Sequence, residues 1–120
     1  MSISAQSRTA VSESGAALEI QDSVVCGEHR LVLRGELDLA QSAELEALLR
    51  QVCSNGTRAI TLDLSGLTFM GSTGLRLVLL ARDLCLQRAC EFRVVPGPAN
   101  VQRVFDVTGL AAVIPFRAAP

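Results

Sequence analysis

The sequence predicts a single α/β domain, with a mixed β-sheet that has an N-terminal antiparallel hairpin and helices packed on it. Two strand-like segments separated by a short turn open the ordered part of the chain, and helix and strand patterns then alternate. The predicted order is β-β-α-β-α-β-α-β, in which helical crossovers join parallel strands. At 120 residues and 49% apolar content, the chain has enough material for one moderate core.

The N-terminal third contains the predicted tail and the hairpin. Residues 1–16 are rich in Ser and Ala, so we predict a disordered tail there and an ordered domain over residues 17–117. Two strands follow, at 18–25 and 30–35. The intervening CGEH has the length and composition of a hairpin turn.

The next segment has the pattern of an amphipathic helix followed by a strand. Asp38, followed three residues later by Gln41, is a capping-box pattern, so we place the helix start at Asp38. Asn55-Gly56 predicts its end, because both residues accept a left-handed backbone. A strand is predicted over Ala59–Leu64. One apolar stripe at helical spacing contains Leu45, Leu48, Leu49 and Val52.

The C-terminal half contains two more helices. The first, predicted over Ser72–Arg88, is apolar on more than one side, so it is either deeply buried or keeps a surface for a partner. A short strand is predicted at Phe92–Val95. Pro98 suits a first helical position, and that helix is predicted to end near Gly109. A last strand is predicted at Ala112–Pro115.

Composition argues against several classes of protein. The formal net charge is −1, and with no Trp, no Tyr and four Phe the chain has neither a basic face nor a stacking platform for nucleic acid. No run approaches the ~18 apolar residues of a membrane span, and the N-terminus lacks the apolar stretch of a signal peptide. We therefore expect a cytoplasmic protein that needs no cofactor.

The cysteines have no metal-type spacing, and His29 is the only histidine. If Cys85 and Cys90 shared one helix, they would lie about 7.5 Å apart along its axis, too far for an unstrained disulfide. We interpret the thiols mainly as small buried hydrophobes, with a redox switch as the alternative. The four cysteines are Cys26, Cys53, Cys85 and Cys90.

The stretch MGSTG carries the most functional information in the chain. It delivers two hydroxyls, Ser72 and Thr73, to a predicted helix start, and Gly71 and Gly74 keep the backbone around them open. A helix N-terminus accepts an anion well, so Ser72 is a plausible site for a reversible phosphate. The simpler alternative is that Ser72 only caps the helix.

Three segments together resemble the STAS domains of bacterial anti-sigma factor antagonists. They are GELD at 35–38, LDLSGLTFMGSTGL, and PGPANVQRVFDVTGLAAVIPF near the C-terminus. The second is similar to the signature around that family's phosphoacceptor serine. The resemblance covers about residues 18–116, nearly all of the predicted domain.

The resemblance implies a partner-switching function without enzymatic activity. Such an antagonist binds an anti-sigma factor, which is also a GHKL-type serine kinase, and this binding frees a sigma factor. Phosphorylation of the antagonist breaks the complex, and a PP2C-type phosphatase restores it. The phosphoacceptor maps onto Ser72. The oligomeric state stays open, with a homodimer as one option. The expected partner-binding residues are Asp38, Gly71, Thr73, Gly74 and Arg76.

The chain departs from the family pattern at one position. Family members commonly carry Asp where this chain has Gly71, so phosphorylation could be slower, use another kinase, or be replaced by another switch. A STAS subunit that docks on another complex, such as a transporter ATPase, is therefore an alternative function. Asp38 could simply cap its helix, and Arg76 could be solvated, face a partner, or hold a phosphate at Ser72. Ser72 has no credible histidine base, and no Walker-type loop is present, so hydrolysis fits poorly.

Overall fold

The computed structural model describes residues 3–11 and 17–118. Within these residues, three strands come first, helices and two further strands then alternate, and a 3-10 helix follows the third α-helix. The elements are β1 (Ile3–Val11), β2 (Ala17–Val25), β3 (Glu28–Leu37), α1 (Leu39–Ser54), β4 (Ala59–Met70), α2 (Ser72–Gln87), β5 (Glu91–Val95), α3 (Ala99–Thr108) and the 3-10 helix (Leu110–Val113). No helix in these ranges is long and apolar enough to cross a membrane.

The strands form one mixed sheet in the order β1-β2-β3-β4-β5. The first three strands pair antiparallel, and β3, β4 and β5 pair parallel. Alternate residues of β3 and β4, such as Leu31 and Leu62, join apolar residues of all three helices in one buried cluster. The predicted α/β fold, with its antiparallel hairpin and packed helices, is confirmed.

The N-terminal tail prediction is wrong for Ile3–Val11, which forms the edge strand β1. It pairs antiparallel with β2, from Ile3 opposite Val25 to Val11 opposite Ala17. An edge strand is held mainly by backbone hydrogen bonds to its neighbour, so it needs little apolar content. The Ser- and Ala-rich composition of this segment therefore gave no strand signal. The remainder of the predicted tail, residues 12–16 among them, lies outside the described residues.

The predicted last strand at Ala112–Pro115 is also wrong. Residues Leu110–Val113 form a 3-10 helix, and only Phe116 bridges to Val94 of β5. Gly109, with φ +75°, turns the chain at the end of α3, so the segment first packs against the core. Phe116 contacts Phe105 edge to face, with ring centroids 5.0 Å apart. Two backbone hydrogen bonds also hold the segment to β5, from the Val94 N–H to the Pro115 carbonyl oxygen at 3.1 Å and from the Arg117 N–H to the Val94 carbonyl oxygen at 2.8 Å.

Strand β4 runs six residues beyond the predicted Ala59–Leu64, to Met70. Its second half pairs with β3 through register shifts on both sides of Arg34 and Gly35. Gly66 permits this close approach, because a Cβ there would lie 2.8 Å from the Leu33 carbonyl oxygen. The extension carries the chain to the start of α2, at the same edge of the sheet where β3 ends.

Asp63 anchors the sheet face opposite the helices. It is 4% exposed and accepts hydrogen bonds from the Ser65 backbone N–H at 2.9 Å, the Ser65 hydroxyl at 2.6 Å and the Arg30 guanidinium at 2.7 Å. Burial by itself raises the pKa of Asp63, but the Ser65 hydrogen bonds and Arg30 outweigh it, so the pKa lies below its usual value.

We expect Asp63→Asn to cost about 2 kcal/mol of unfolding free energy at pH 7. The substitution removes the charge from these hydrogen bonds and places an NH₂ group, itself a donor, beside donors of Ser65 and Arg30. A lowered folded pKa contributes stability that is present above the unfolded value near 4 and is lost as pH falls through the folded pKa. Urea unfolding at pH 7 and pH 3 checks this prediction. The difference in unfolding free energy between parent and variant should be smaller at pH 3 than at pH 7. An equal gap at both pH values would refute the assigned role of the charge.

Candidate functional site

The candidate site lies where β3 and β4 end beside each other. The Gly71 backbone N–H, directly after β4, donates to the Leu37 carbonyl oxygen at 3.0 Å. Helix α1 begins at Leu39 and helix α2 begins at Ser72, so both helices start immediately after this hydrogen bond. The parallel pairing therefore sets two helix N-termini side by side, and each favours negative charge.

Asp38 caps α1 and lies against Gly71. The Asp38 backbone N–H donates to Gln41 Oε1 at 3.2 Å, and both halves of the predicted capping box are present. A Cβ added at Gly71 would lie 2.5 Å from Asp38 Oδ1. The Asp38 carboxylate thus occupies the space that a side chain at position 71 would need.

Ser72 does not cap α2, so the simpler interpretation of this serine is wrong. The N-cap is Gly71, whose carbonyl oxygen accepts from the Leu75 N–H at 3.2 Å, and Ser72 is the first helical residue. The Ser72 side chain is exposed, and within residues 17–118 its hydroxyl makes no hydrogen bond. The hydroxyl is accessible next to a helix N-terminus whose first N–H groups have no partner within the helix.

The two residues after Ser72 turn into the protein. Thr73 is half-buried and Gly74 is buried. A Cβ at Gly74 would lie 2.5 Å from Met70 Cγ and 3.0 Å from Leu37 Cγ. Gly74 therefore serves close packing of α2 on the strand ends, and the expectation that it keeps the turn open is wrong.

Arg76 links the two helices. Its guanidinium lies 3.2 Å from a carboxylate oxygen of Glu46 on α1, and Arg50 contacts the other oxygen at 3.3 Å. The hydrogen bond from Arg76, and then that from Arg50, lowers the pKa of Glu46. This pairing directs the Arg76 side chain toward α1 in the unmodified chain.

Two exposed apolar side chains that the sequence reasoning missed flank the site. Leu39 is 73% exposed and directly follows Asp38, and Phe69 is 43% exposed. Phe69 lies beside Gly71, because its Cε2 would be 3.6 Å from a Cβ there. The signal was available in the sequence, since Leu39 falls outside the buried stripe of its helix. We call the set Asp38, Leu39, Phe69, Gly71 and Ser72 the Ser72 surface.

The histidine of the chain lies far from Ser72. His29 lies at the start of β3, the opposite end of the strand from Leu37, and pairs with Asp22 at 2.9 Å. Among residues 3–11 and 17–118, no three His, Cys, Asp or Glu side chains are grouped so that they could hold a metal ion.

Comparison with known proteins identifies the family. The family model described as "Mlab, STAS domain" matches residues 23–115. The chain belongs to the STAS domain family. This STAS domain is 32% identical over 83 residues to BtrV of Bordetella bronchiseptica, an anti-sigma factor antagonist by name, covering 69% of this chain and 72% of BtrV. It is 34% identical over 76 residues to the anti-sigma-B factor antagonist of Staphylococcus aureus strain NCTC 8325, covering 63% of this chain and 70% of that protein.

Solved structures support the same fold. An anti-sigma factor antagonist from Mycobacterium paratuberculosis superposes with a TM-score of 0.73 at 22% identity, covering 98% of this STAS domain chain and 87% of the other. Unphosphorylated SpoIIAA gives 0.72 at 24% identity, covering 82% and 88%. Phosphorylated SpoIIAA from Bacillus gives 0.66 at 23% identity, covering 82% and 91%.

We expect positions 38 and 71 of this STAS domain to be energetically coupled. Gly71→Ala should cost up to about 1 kcal/mol, because the new methyl group must displace the Asp38 carboxylate and loosen the α1 cap. In an Asp38→Ala background, the same substitution should cost less, since φ at Gly71 is −90° and suits any residue. Urea unfolding of the four variants of this double-mutant cycle measures the coupling, and strict additivity would contradict it.

Proposed function

We propose that this protein is an anti-sigma factor antagonist whose binding to an anti-sigma factor is switched off by phosphorylation of Ser72. The observation that carries the proposal is the exposed Ser72 hydroxyl at the first position of α2, in a surface that also presents Leu39 and Phe69. Family membership and the antagonist relatives support the coarser assignment. The geometry of the Ser72 surface supports the finer assignment, in which phosphorylation of Ser72 switches off binding.

A phosphate on Ser72 suits the free protein but not a complex. In the free chain, phosphoserine would stay solvated at a helix N-terminus, so the fold needs no rearrangement. In an interface, its charge of about −1.5 to −2 would lose water and add to the charge of Asp38, whose carboxylate lies against Gly71, the preceding residue. A hundredfold loss of affinity needs only about 2.7 kcal/mol.

Leu39 and Phe69 supply the apolar part of the proposed contact. Protein interfaces are anchored by a few large side chains that become fully desolvated, and aromatic residues are enriched among them. Both residues lie next to the two helix starts, because Leu39 begins α1 and Phe69 lies near the end of β4, beside Gly71. The Ser72 hydroxyl would therefore lie inside the contact, where an added charge reduces the affinity for the partner most.

The partner is proposed to be an anti-sigma factor with GHKL-type serine kinase activity, and a PP2C-type phosphatase would reverse the modification. This chain is proposed to be a cytoplasmic regulatory protein without catalysis of its own. The placement of His29 at the far end of β3 supports that part, because it leaves Ser72 without a histidine base. Asp38 and Gly71 would contact the partner, while Thr73 and Gly74 would fix the position of α2.

Substitution of Ser72 tests the switch. Ser72→Ala should bind the anti-sigma factor within about threefold of the parent and resist release by ATP, whereas Ser72→Glu should bind at least tenfold more weakly. Calorimetric titration and phosphosite mapping with and without ATP measure both effects. Thr73→Val is the matched control, since it keeps the shape of the neighbouring side chain and should be phosphorylated and released like the parent.

Release of Ser72→Ala by ATP at the parent rate would overturn the assignment of Ser72. If cell extracts instead yield a transporter ATPase, bound equally by the parent and Ser72→Glu, docking on another complex would replace the proposed function.

Four exposed apolar residues allow a matched test of the surface. Leu39→Ala and Phe69→Ala should each weaken anti-sigma factor binding by about tenfold or more, since each removes a desolvated anchor. Leu86→Ala and Val107→Ala are the controls, because these side chains are 68% and 74% exposed but lie on other parts of the molecule. Titration calorimetry should find the controls unchanged, and a larger loss from them would place the interface elsewhere.

A further inference from the structure

Three of the four cysteines meet at the end of the molecule opposite Ser72. Cys53 lies near the end of α1, Cys85 in the last turn of α2, and Cys90 just before β5. They are 4%, 1% and 9% exposed and belong to the same buried cluster. All are free thiols. The proposed partner switch gives these three cysteines no role.

The backbone at the end of α2 places Cys85 and Cys90 against each other. The helix ends at Gln87, Ala89 adopts a left-handed φ of +54°, and the Cys90 N–H donates to the Cys85 carbonyl oxygen at 2.9 Å. This is the six-to-one hydrogen bond of a Schellman motif, which commonly brings the two side chains involved into contact. The expectation of 7.5 Å for a shared helix does not apply, because the chain turns back before Cys90.

That hydrogen bond limits the distance between the two Cα atoms. Standard geometry places the Cα of Cys85 about 2.4 Å from its carbonyl oxygen and the Cα of Cys90 about 1.5 Å from its nitrogen. With 2.9 Å between nitrogen and oxygen, the Cα atoms are at most about 6.8 Å apart, and closer because the bonds are not collinear. This separation falls within the range of about 4.4–6.8 Å found in disulfides.

A surface groove leads to this pair. It has a volume of about 340 Å³ and is lined by both Cys85 and Cys90 together with residues of α2, β5 and the 3-10 helix, among them Leu86, Phe92 and Val113. A small oxidant such as hydrogen peroxide fits this volume easily. Cys53 is not among the lining residues.

We propose that Cys85 and Cys90 form an intramolecular disulfide when the protein meets a peroxide. The Cys90 thiolate attacks one peroxide oxygen, the O–O bond breaks, and sulfenic acid and water form. The Cys85 thiol then gives up its proton as its sulfur attacks the Cys90 sulfur; an S–S bond forms, the S–O bond breaks, and the hydroxyl leaves with that proton as water. Two thiols are oxidised and one peroxide is reduced to two waters. A thiol reductant reverses the modification.

The order of the two steps follows from the surroundings of the thiols. Burial raises the pKa of Cys85 and of Cys53, so both stay protonated at neutral pH and are poor first nucleophiles. Cys90 is the most exposed of the three and lines the groove, so it meets the oxidant first. Cys85, held to it by the backbone, then resolves the sulfenic acid. This reaction should take minutes to hours rather than seconds.

The disulfide would act at the far end of α2 from the Ser72 surface. The helix has 16 residues, so its ends are separated by about 24 Å. The cross-link would join the last turn of α2 to the start of β5 without altering the residues around Ser72. It is therefore a modification independent of the proposed phosphorylation.

Peptide mapping tests this proposal directly, because trypsin places each cysteine on a different peptide. The purified full chain is incubated with hydrogen peroxide, its remaining thiols are alkylated under denaturing conditions, and the digest is analysed without reduction. We expect two of the four cysteines to be lost as thiols and a linked pair that dithiothreitol separates. The cysteine-containing peptides are Thr9–Arg30, Gln51–Arg58, Asp83–Arg88 and Ala89–Arg93, and the last two should be linked.

Two variants serve as a matched pair. Cys53→Ala removes a buried thiol from the cluster and should give the same linked peptides, whereas Cys90→Ala should keep its three thiols. Four alkylated thiols in the oxidised parent would overturn the proposal. So would a link that involves Gln51–Arg58, or a dimer joined through Thr9–Arg30. The parent's peptide map decides the question even if a variant fails to fold.

Discussion

The hydrogen bond between the Gly71 N–H and the Leu37 carbonyl oxygen is the constraint on which the candidate site depends. It closes the parallel pairing of β3 and β4 and brings the starts of α1 and α2 together. Asp38 and Ser72 are 34 positions apart in the sequence, yet their backbones are neighbours for this reason. In open sheets, the carboxyl ends of parallel strands are where binding sites form, and the candidate site lies at such an edge.

Two glycines allow this arrangement, for reasons of space and not of backbone torsion. Gly71 has φ −90°, and its missing side chain leaves room for the Asp38 carboxylate. Gly74 lets α2 approach Leu37 and Met70. The negative charge beside Ser72 therefore comes from the cap of another helix.

Local signals predicted most of the fold and part of the site. The capping box at Asp38, the hairpin turn and the helix start near Ser72 were all readable, because each depends on residues close in sequence. The edge strand Ile3–Val11 and the 3-10 helix at Leu110–Val113 were not, because backbone pairing and packing with distant segments decide them. The roles of Gly71, Leu39 and Phe69 likewise depend on contacts between elements, which no local pattern contains.

In the proposed switch, the partner covers the Ser72 surface and negative charge at Ser72 removes the partner. Amide hydrogen exchange of the full chain, alone and with its anti-sigma factor, measures this residue by residue. We expect slowed exchange over residues 38–41 and 69–76 in the complex, and loss of that protection when Ser72 carries a phosphate. Protection confined to another face, or protection that persists unchanged after phosphorylation of Ser72, would contradict it.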